Sequence, residues 1–195
     1  VDIPANRDRP PLSRVQLGFS ATVPVEEFGA RLGSSGPAAL LVRSAGQETG
    51  DFGHIYLNGR DVSSNRRGYN LVALDASGAV VAAATFDTHA HPDAGARMAG
   101  WLASLPPGLT VAGAVRDEAS LNLSAAAVDA LAALGLHGDL RGHFRWGHAF
   151  IAVTGQPGQA VEQTSAIRPV QLAVGLPVSE PQLAAQVYEV LVIDK

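Results

Sequence analysis

The chain of 195 residues contains no cysteine. That absence excludes disulfide staples and thiolate metal sites, and it leaves the redox compartment unread. Charge is scarce as well. Only 16% of the residues are Asp, Glu, Lys or Arg, and 14 basic residues against 18 acidic ones give a formal net charge of -4. Without a basic run or a positive field, nothing draws the chain to the phosphates of nucleic acid. No stretch approaches the roughly 18 consecutive apolar residues of a spanning helix, and no basic-plus-apolar leader opens the sequence, so membrane insertion by this segment itself is not expected. Val1 in place of Met points to a processed product or an excised segment. There is no Gly-x-Ser-x-Gly elbow, and 21 glycines include neither a phosphate loop nor a dinucleotide fingerprint, so no cofactor is expected. No repeat with a period of about 20 to 50 residues is visible, which leaves solenoids and propellers unsupported.

What is there suits a single buried core, because 47% of the residues are hydrophobic. Residues 1 to 14, with Pro4, Pro10 and Pro11, read as an extended arm. Residues 15 to 37 read as a flank whose strand begins at Arg14 and alternates to Ser20. Residues 38 to 165 form the main domain and 166 to 195 a second flank. Within the domain, β-rich runs cover Ala38 to Ser44, His54 to Leu57, Gly68 to Leu74, Val80 to Phe86, Leu109 to Val115, His148 to Val153 and Gln159 to Gln163. Asp75-Ala76-Ser77-Gly78 supplies the residues of a hairpin loop between two of them. One helix is predicted after Asp93 as N-cap, carrying Met98, Trp101, Leu102 and Leu105 at helical spacing and stopped by Pro106-Pro107. A second is predicted from Ser124 as N-cap, carrying Val128, Leu131 and Leu134 and ending at Gly135. In the second flank, Val170 to Val174 and Val187 to Ile193 are strand-like and are expected to pair with the first flank, since chain ends usually meet. The fold class is α/β, largely antiparallel.

Four stretches carry candidate chemistry. Phe86-Asp87-Thr88-His89-Ala90-His91 resembles the opening of TatD-type metal-dependent amidohydrolases: two imidazoles at strand period share one face, as a metal requires. Such enzymes need a barrel of about 250 residues and further ligands from later strands. A loop whose Asp93 caps the next helix is the plainer account, and a metal-dependent hydrolase on His89 and His91 stands as the alternative. Arg116-Asp117-Glu118 ends a strand, where its charged groups reach ligand hydroxyls or form a solvated ion pair. Phe144-Arg145-Trp146-Gly147-His148 mixes aromatic, guanidinium and imidazole groups, the mixture that holds neutral sugars, although core packing explains it too. Arg66 and Arg67, beside a tight turn at Gly68, hold an anionic group or stand in solvent.

The ordered series His54 to Arg60, Arg67 to Asp75, Phe86-Asp87-Thr88, Val115 to Ser120, Leu131 to Gly135 and His148 to Gly155 resembles the interleukin-like EMT inducer family. The absence of cysteine suits a bacterial-type member, because the animal family carries disulfides. The resemblance implies a compact β-β-α fold of two largely antiparallel sheets with flanking helices, an extracytoplasmic location and no catalysis by the domain. Members include small secreted cytokine-like proteins, the stem of the protein O-mannose N-acetylglucosaminyltransferase and bacterial membrane-associated proteins. In that stem the family binds a β-linked N-acetylglucosamine through an Asp and an Arg that match Asp117 and Arg145. Phe144 stands here for the stem's Trp, while Trp146 and His148 stand where its Asp and Trp would be. The implied sugar site is therefore Asp117, Arg145, Phe144, Trp146 and His148. The expected function is a carbohydrate-binding accessory module with a glycan ligand, the alternative being a protein-interaction or structural subunit of a membrane-associated assembly.

Overall fold

The computed structural model describes residues 39 to 175 in full, together with the backbone of two further strands at 14 to 20 and 186 to 193. Along the chain these residues form β1 (Arg14–Ser20), β2 (Leu40–Gly46), β3 (Phe52–Leu57), β4 (Arg60–Asp61), β5 (Gly68–Leu74), β6 (Val80–Phe86), α1 (Ala94–Ser104), β7 (Thr110–Asp117), α2 (Ala125–Ala133), β8 (Gly147–Val153), β9 (Gln156–Ser165), β10 (Val170–Val174) and β11 (Gln186–Ile193). A 3-10 turn at Gln47–Thr49 follows β2. The chain divides into two compact units: Val1–Thr22 with Glu180–Lys195, and Val23–Ser179. In the first unit β1 and β11 pair antiparallel, from Arg14 opposite Ile193 to Ser20 opposite Gln186, so the two flanks meet as expected. The predicted Pro-rich arm before Arg14 lies outside the described residues.

In the second unit nine strands and two helices make a mixed α/β domain whose sheet does not close. The strands fall into two antiparallel sets. One runs β4-β3-β2-β10, the other β6-β5-β7-β8-β9. Hydrogen bonding joins the sets into one branched sheet, because β2 meets β7 in parallel through Ala45 opposite Arg116 and Gly46 opposite Asp117. The expected pair of sheets is thus present but fused at one corner.

β10 corrects the sequence reading. It was expected to pair with the N-terminal flank, yet it pairs with β2, from Val170 opposite Ser44 to Val174 opposite Leu40. Pairing there buries Val170, Leu172 and Val174 in the domain core, a gain of about 1.5–3 kcal/mol for each large apolar side chain.

The apolar residues separate into two clusters by strand alternation. In β5, Tyr69, Leu71 and Ala73 face α1 and α2 with Met98, Leu102 and Leu131, whereas Val72 and Leu74 face Val42, Ile55 and Leu172 of the other strand set. β5 and β8 are therefore buried along their full length, which is why they read as continuous apolar runs. The helices form where caps and spacing predict them. Ser124 accepts a hydrogen bond from the Ala127 amide, and Gly135, at φ 89°, follows the last turn of α2. Asp93 stands at the N-cap position of α1 but caps nothing with its side chain, which pairs instead with Arg97 at 2.9 Å.

Candidate functional site

The corner where the strand sets fuse gathers residues from three parts of the chain. Gly46 ends β2 and pairs with Asp117 at the end of β7. The backbone carbonyl of Arg145, in the loop before β8, lies so close to the Gly46 Cα that a Cβ there would overlap it. Asp117 and Arg145 therefore both abut Gly46, although 28 positions do not make them neighbours in the chain. Ser44 fixes the same corner from inside: its hydroxyl donates to the Val115 carbonyl and accepts from the His148 amide at 2.9 Å.

Both Asp117 and Arg145 adopt left-handed backbone, at φ 61° and 60°. For non-glycine residues such conformations persist only where the surroundings enforce them, and they cluster at ligand-binding positions. The Arg145 guanidinium pairs through Nη1 with Glu48 in the 3-10 turn and stacks over the Phe144 ring at 4.7 Å. Its Nε is buried and donates to nothing among the described residues. The Asp117 carboxylate is half-buried and accepts no side-chain hydrogen bond there, since Asp51 and the Asn65 carbonyl occupy its neighbour Arg116. Phe144 is 57% exposed.

The remaining two members of the predicted sugar set point elsewhere. Trp146 packs against the helix-side core and its ring lies 4.2 Å from that of His143. His148 is fully buried and presents no atom to a surface ligand. Its Nε2 lies 3.0 Å from Glu162 Oε2 and its Nδ1 3.3 Å from the Tyr69 hydroxyl. Burial pushes the Glu162 carboxyl up, but His148 and the amides of His137 and Gly138 outweigh that and hold it below the ordinary range. Burial raises the Tyr69 phenol, so it stays protonated. Strand alternation explains the placement, because His148 and Phe150 share the helix-facing side of β8.

The His-x-His stretch is not at strand period. Residues 87 to 93 form turns in which the His91 amide bonds back to the Asp87 carbonyl, so strand alternation does not set the two imidazoles on one face. His89 turns onto Glu118, with Nδ1 2.6 Å from Oε2. Glu118 is only 1% exposed and also accepts from the Ser120 hydroxyl and amide. Burial pushes its carboxyl up, but Ser120, His89 and the Leu121 amide together hold it below the ordinary carboxylate range. Thr88 donates to the Ala119 carbonyl and Asn122 to the His89 carbonyl, so the turn before α1 is clamped to the loop after β7. No group of three or more His, Asp or Glu side chains is arranged to hold a metal ion among the described residues.

Sequence reasoning missed Gly46, Glu48 and Glu162, and it placed Glu118 in a candidate stretch without identifying His89 as its partner. No local pattern marks these pairings, because each is made only through strand pairing or loop packing.

No curated protein matches the chain. No helix among the described residues is long and apolar enough to cross a membrane. The sequence model of the interleukin-like EMT inducer family matches residues 67–156, a span that opens just before β5, closes on the first residue of β9 and includes Asp117 and Arg145 but not Gly46 or Glu48. This part of the chain is an interleukin-like EMT inducer domain.

Proposed function

We propose that the domain is a non-catalytic, extracytoplasmic carbohydrate-binding accessory module, with Asp117 and Arg145 bonding sugar hydroxyls and Phe144 covering a ring face. The observation that carries this reading is the convergence of Asp117 and Arg145 on Gly46, both in left-handed backbone. A carboxylate accepts from two hydroxyls while a guanidinium donates to their oxygens, so the pair matches the vicinal hydroxyls of a pyranose. The Arg145 guanidinium, whose side chain is one-third exposed, supplies donors, and the exposed Phe144 ring supplies an apolar surface for sugar C–H groups. The family's sugar-binding stem, which keeps an Asp and an Arg at the matching motifs, points the same way and suggests a β-linked N-acetylglucosaminide.

A glycan array followed by calorimetry with the best-binding sugar tests the proposal. Asp117→Ala and Arg145→Ala are each expected to weaken binding at least about tenfold, because a charge-assisted hydrogen bond is worth about 1.5–3 kcal/mol. Both variants should stay folded, since the Arg145–Glu48 pair is solvated and contributes little. An array without a hit, or unchanged affinity in both folded variants, would end this reading.

The second reading, a protein-interaction or structural subunit of a membrane-associated assembly, draws on exposed apolar side chains: Ile167 at 87% and Leu121 at 66%, besides Phe144. A partner that co-purifies with Asp117→Ala/Arg145→Ala but is lost from Leu121→Ser/Ile167→Ser, or on deletion of residues 1 to 14, would favour it.

A further inference from the structure

A separate open basin of about 570 Å³ is lined by Arg66, Arg67, Thr85, Asp87, His91 and Arg97. Three guanidinium groups share it with one carboxylate, so its charge is opposite to that of the chain as a whole, which carries a net -4.

The loop that presents Arg66 and Arg67 is held from the core rather than by solvent. The Arg66 amide donates to Asn70 Oδ1 at 2.8 Å, and its carbonyl accepts from Asn70 Nδ2 at 2.7 Å. Asn70 is fully buried. The loop continues through Gly68 at φ 85°, where a Cβ would overlap the Phe86 carbonyl and so force the chain away from β6. That close approach seats Arg67 on Asp87, with Nε 3.1 Å and Nη2 2.9 Å from Oδ2. Asp87 in turn accepts from the His89 and Ala90 amides, so the Arg67 fork is fixed while its Nη1 stays uncommitted. The exposed Arg66 guanidinium has no acceptor among the described residues.

Arg97 sits in the first turn of α1, where the partial positive charge of the helix end disfavours a cation. Its one ion pair, to Asp93, is exposed on both sides and exchanges at little cost. Thr85 adds a solvent-facing hydroxyl. Asp117 and Glu118 act electrostatically on Arg67, which leaves Arg66 and Arg97 as the cations most available to a ligand.

We propose that this basin binds the phosphate or sulfate group of a small monoester, with Arg66 and Arg97 as primary donors and Arg67 held in place by Asp87. Guanidinium forks match the oxygen spacing of a tetrahedral oxyanion and bond it in pairs. The cavity exceeds such a group, which displaces only a few waters at about 30 Å³ of liquid each, so the organic part of the ester fits as well. The proposal does not rest on the sugar reading, and its variants leave Asp117 and Arg145 intact.

Titration of the 15N-labelled full chain by NMR, with chloride holding ionic strength constant, provides the test. The probes are glucose 6-phosphate and N-acetylglucosamine 6-sulfate, each against its uncharged parent sugar. Saturable shifts at the amides of Arg66, Arg67, His91 and Arg97 are expected with at least one ester and with neither parent. Arg66→Ala/Arg97→Ala is expected to weaken that binding at least about tenfold without moving the thermal midpoint, since both side chains are exposed. Which ester saturates identifies the oxyanion. Shifts that match those in chloride alone, or a double variant that binds as the parent chain does, would overturn the assignment.

Discussion

Alanine in place of Gly46 is expected to cost about 3 kcal/mol of stability and to abolish any ligand binding at the Asp117–Arg145 corner. The backbone at Gly46 has φ -66° and ψ 171°, an extended conformation open to every residue, so the cost is purely steric. A Cβ there meets the carbonyl oxygen and carbon of Arg145, which are backbone atoms and cannot rotate aside as a side chain would. Relief requires moving either the loop that carries Arg145 or the end of β2. The second movement strains the Gly46–Asp117 pairing, half of the short parallel ladder that fuses the two strand sets. Urea denaturation measures the loss, and Gly158→Ala serves as control, because a Cβ at Gly158 has nothing within 4 Å. Equal midpoints for the two variants would contradict the packing of Arg145 on Gly46.

Glu118→Ala is expected to cost about 3 kcal/mol at neutral pH, since it strips partners from the Ser120 hydroxyl and amide and from His89 around a carboxylate that is 1% exposed. The pH dependence follows from the direction of the shift. In the folded chain Glu118 titrates below its ordinary value of 4.5, so its stabilisation is complete above that value and fades as pH falls through the folded pKa. Glu162 behaves alike through His148 and the His137 and Gly138 amides. Stability should thus decline from about pH 4.5 downward, and Glu118→Gln, which cannot titrate, should be less stable at neutral pH but flatter in acid. Chemical denaturation between pH 7 and 3 reads both effects. Parallel profiles for Glu118→Gln and the parent chain would show that the carboxylate is not held as an anion by these donors.

The interior of the domain was largely legible in sequence. Continuous apolar runs marked β5 and β8, because strands covered on both faces have no polar side to display. Ser124 and Gly135 marked the ends of α2 through caps that act within a few residues, and Asp75 to Gly78 marked the β5–β6 turn for the same reason. Asp93 misled in part: its position was right, but Arg97, one turn later, competes for its carboxylate. β4 was missed because two exposed residues, Arg60 and Asp61, carry no alternation. β10 was seen as a strand but assigned the wrong neighbour, since alternation reports a buried face and says nothing about which edge it joins.

The same division runs through the candidate site. Residue types marked the stretches Arg116-Asp117-Glu118 and Phe144 to His148 as chemistry that suits sugar hydroxyls and rings, and the family resemblance narrowed them to Asp117, Arg145, Phe144, Trp146 and His148. The sequence also determined that Arg66 and Arg67 would stand beside a tight turn at Gly68. Tertiary structure decided which of these groups meet. It set Asp117 and Arg145 against Gly46, packed Trp146 and His148 toward the helix-side core, turned His89 onto Glu118, and brought Arg97 to the two loop arginines. Those outcomes depend on strand register and on atoms distant in the chain, where one residue of slip would send a side chain to the opposite face.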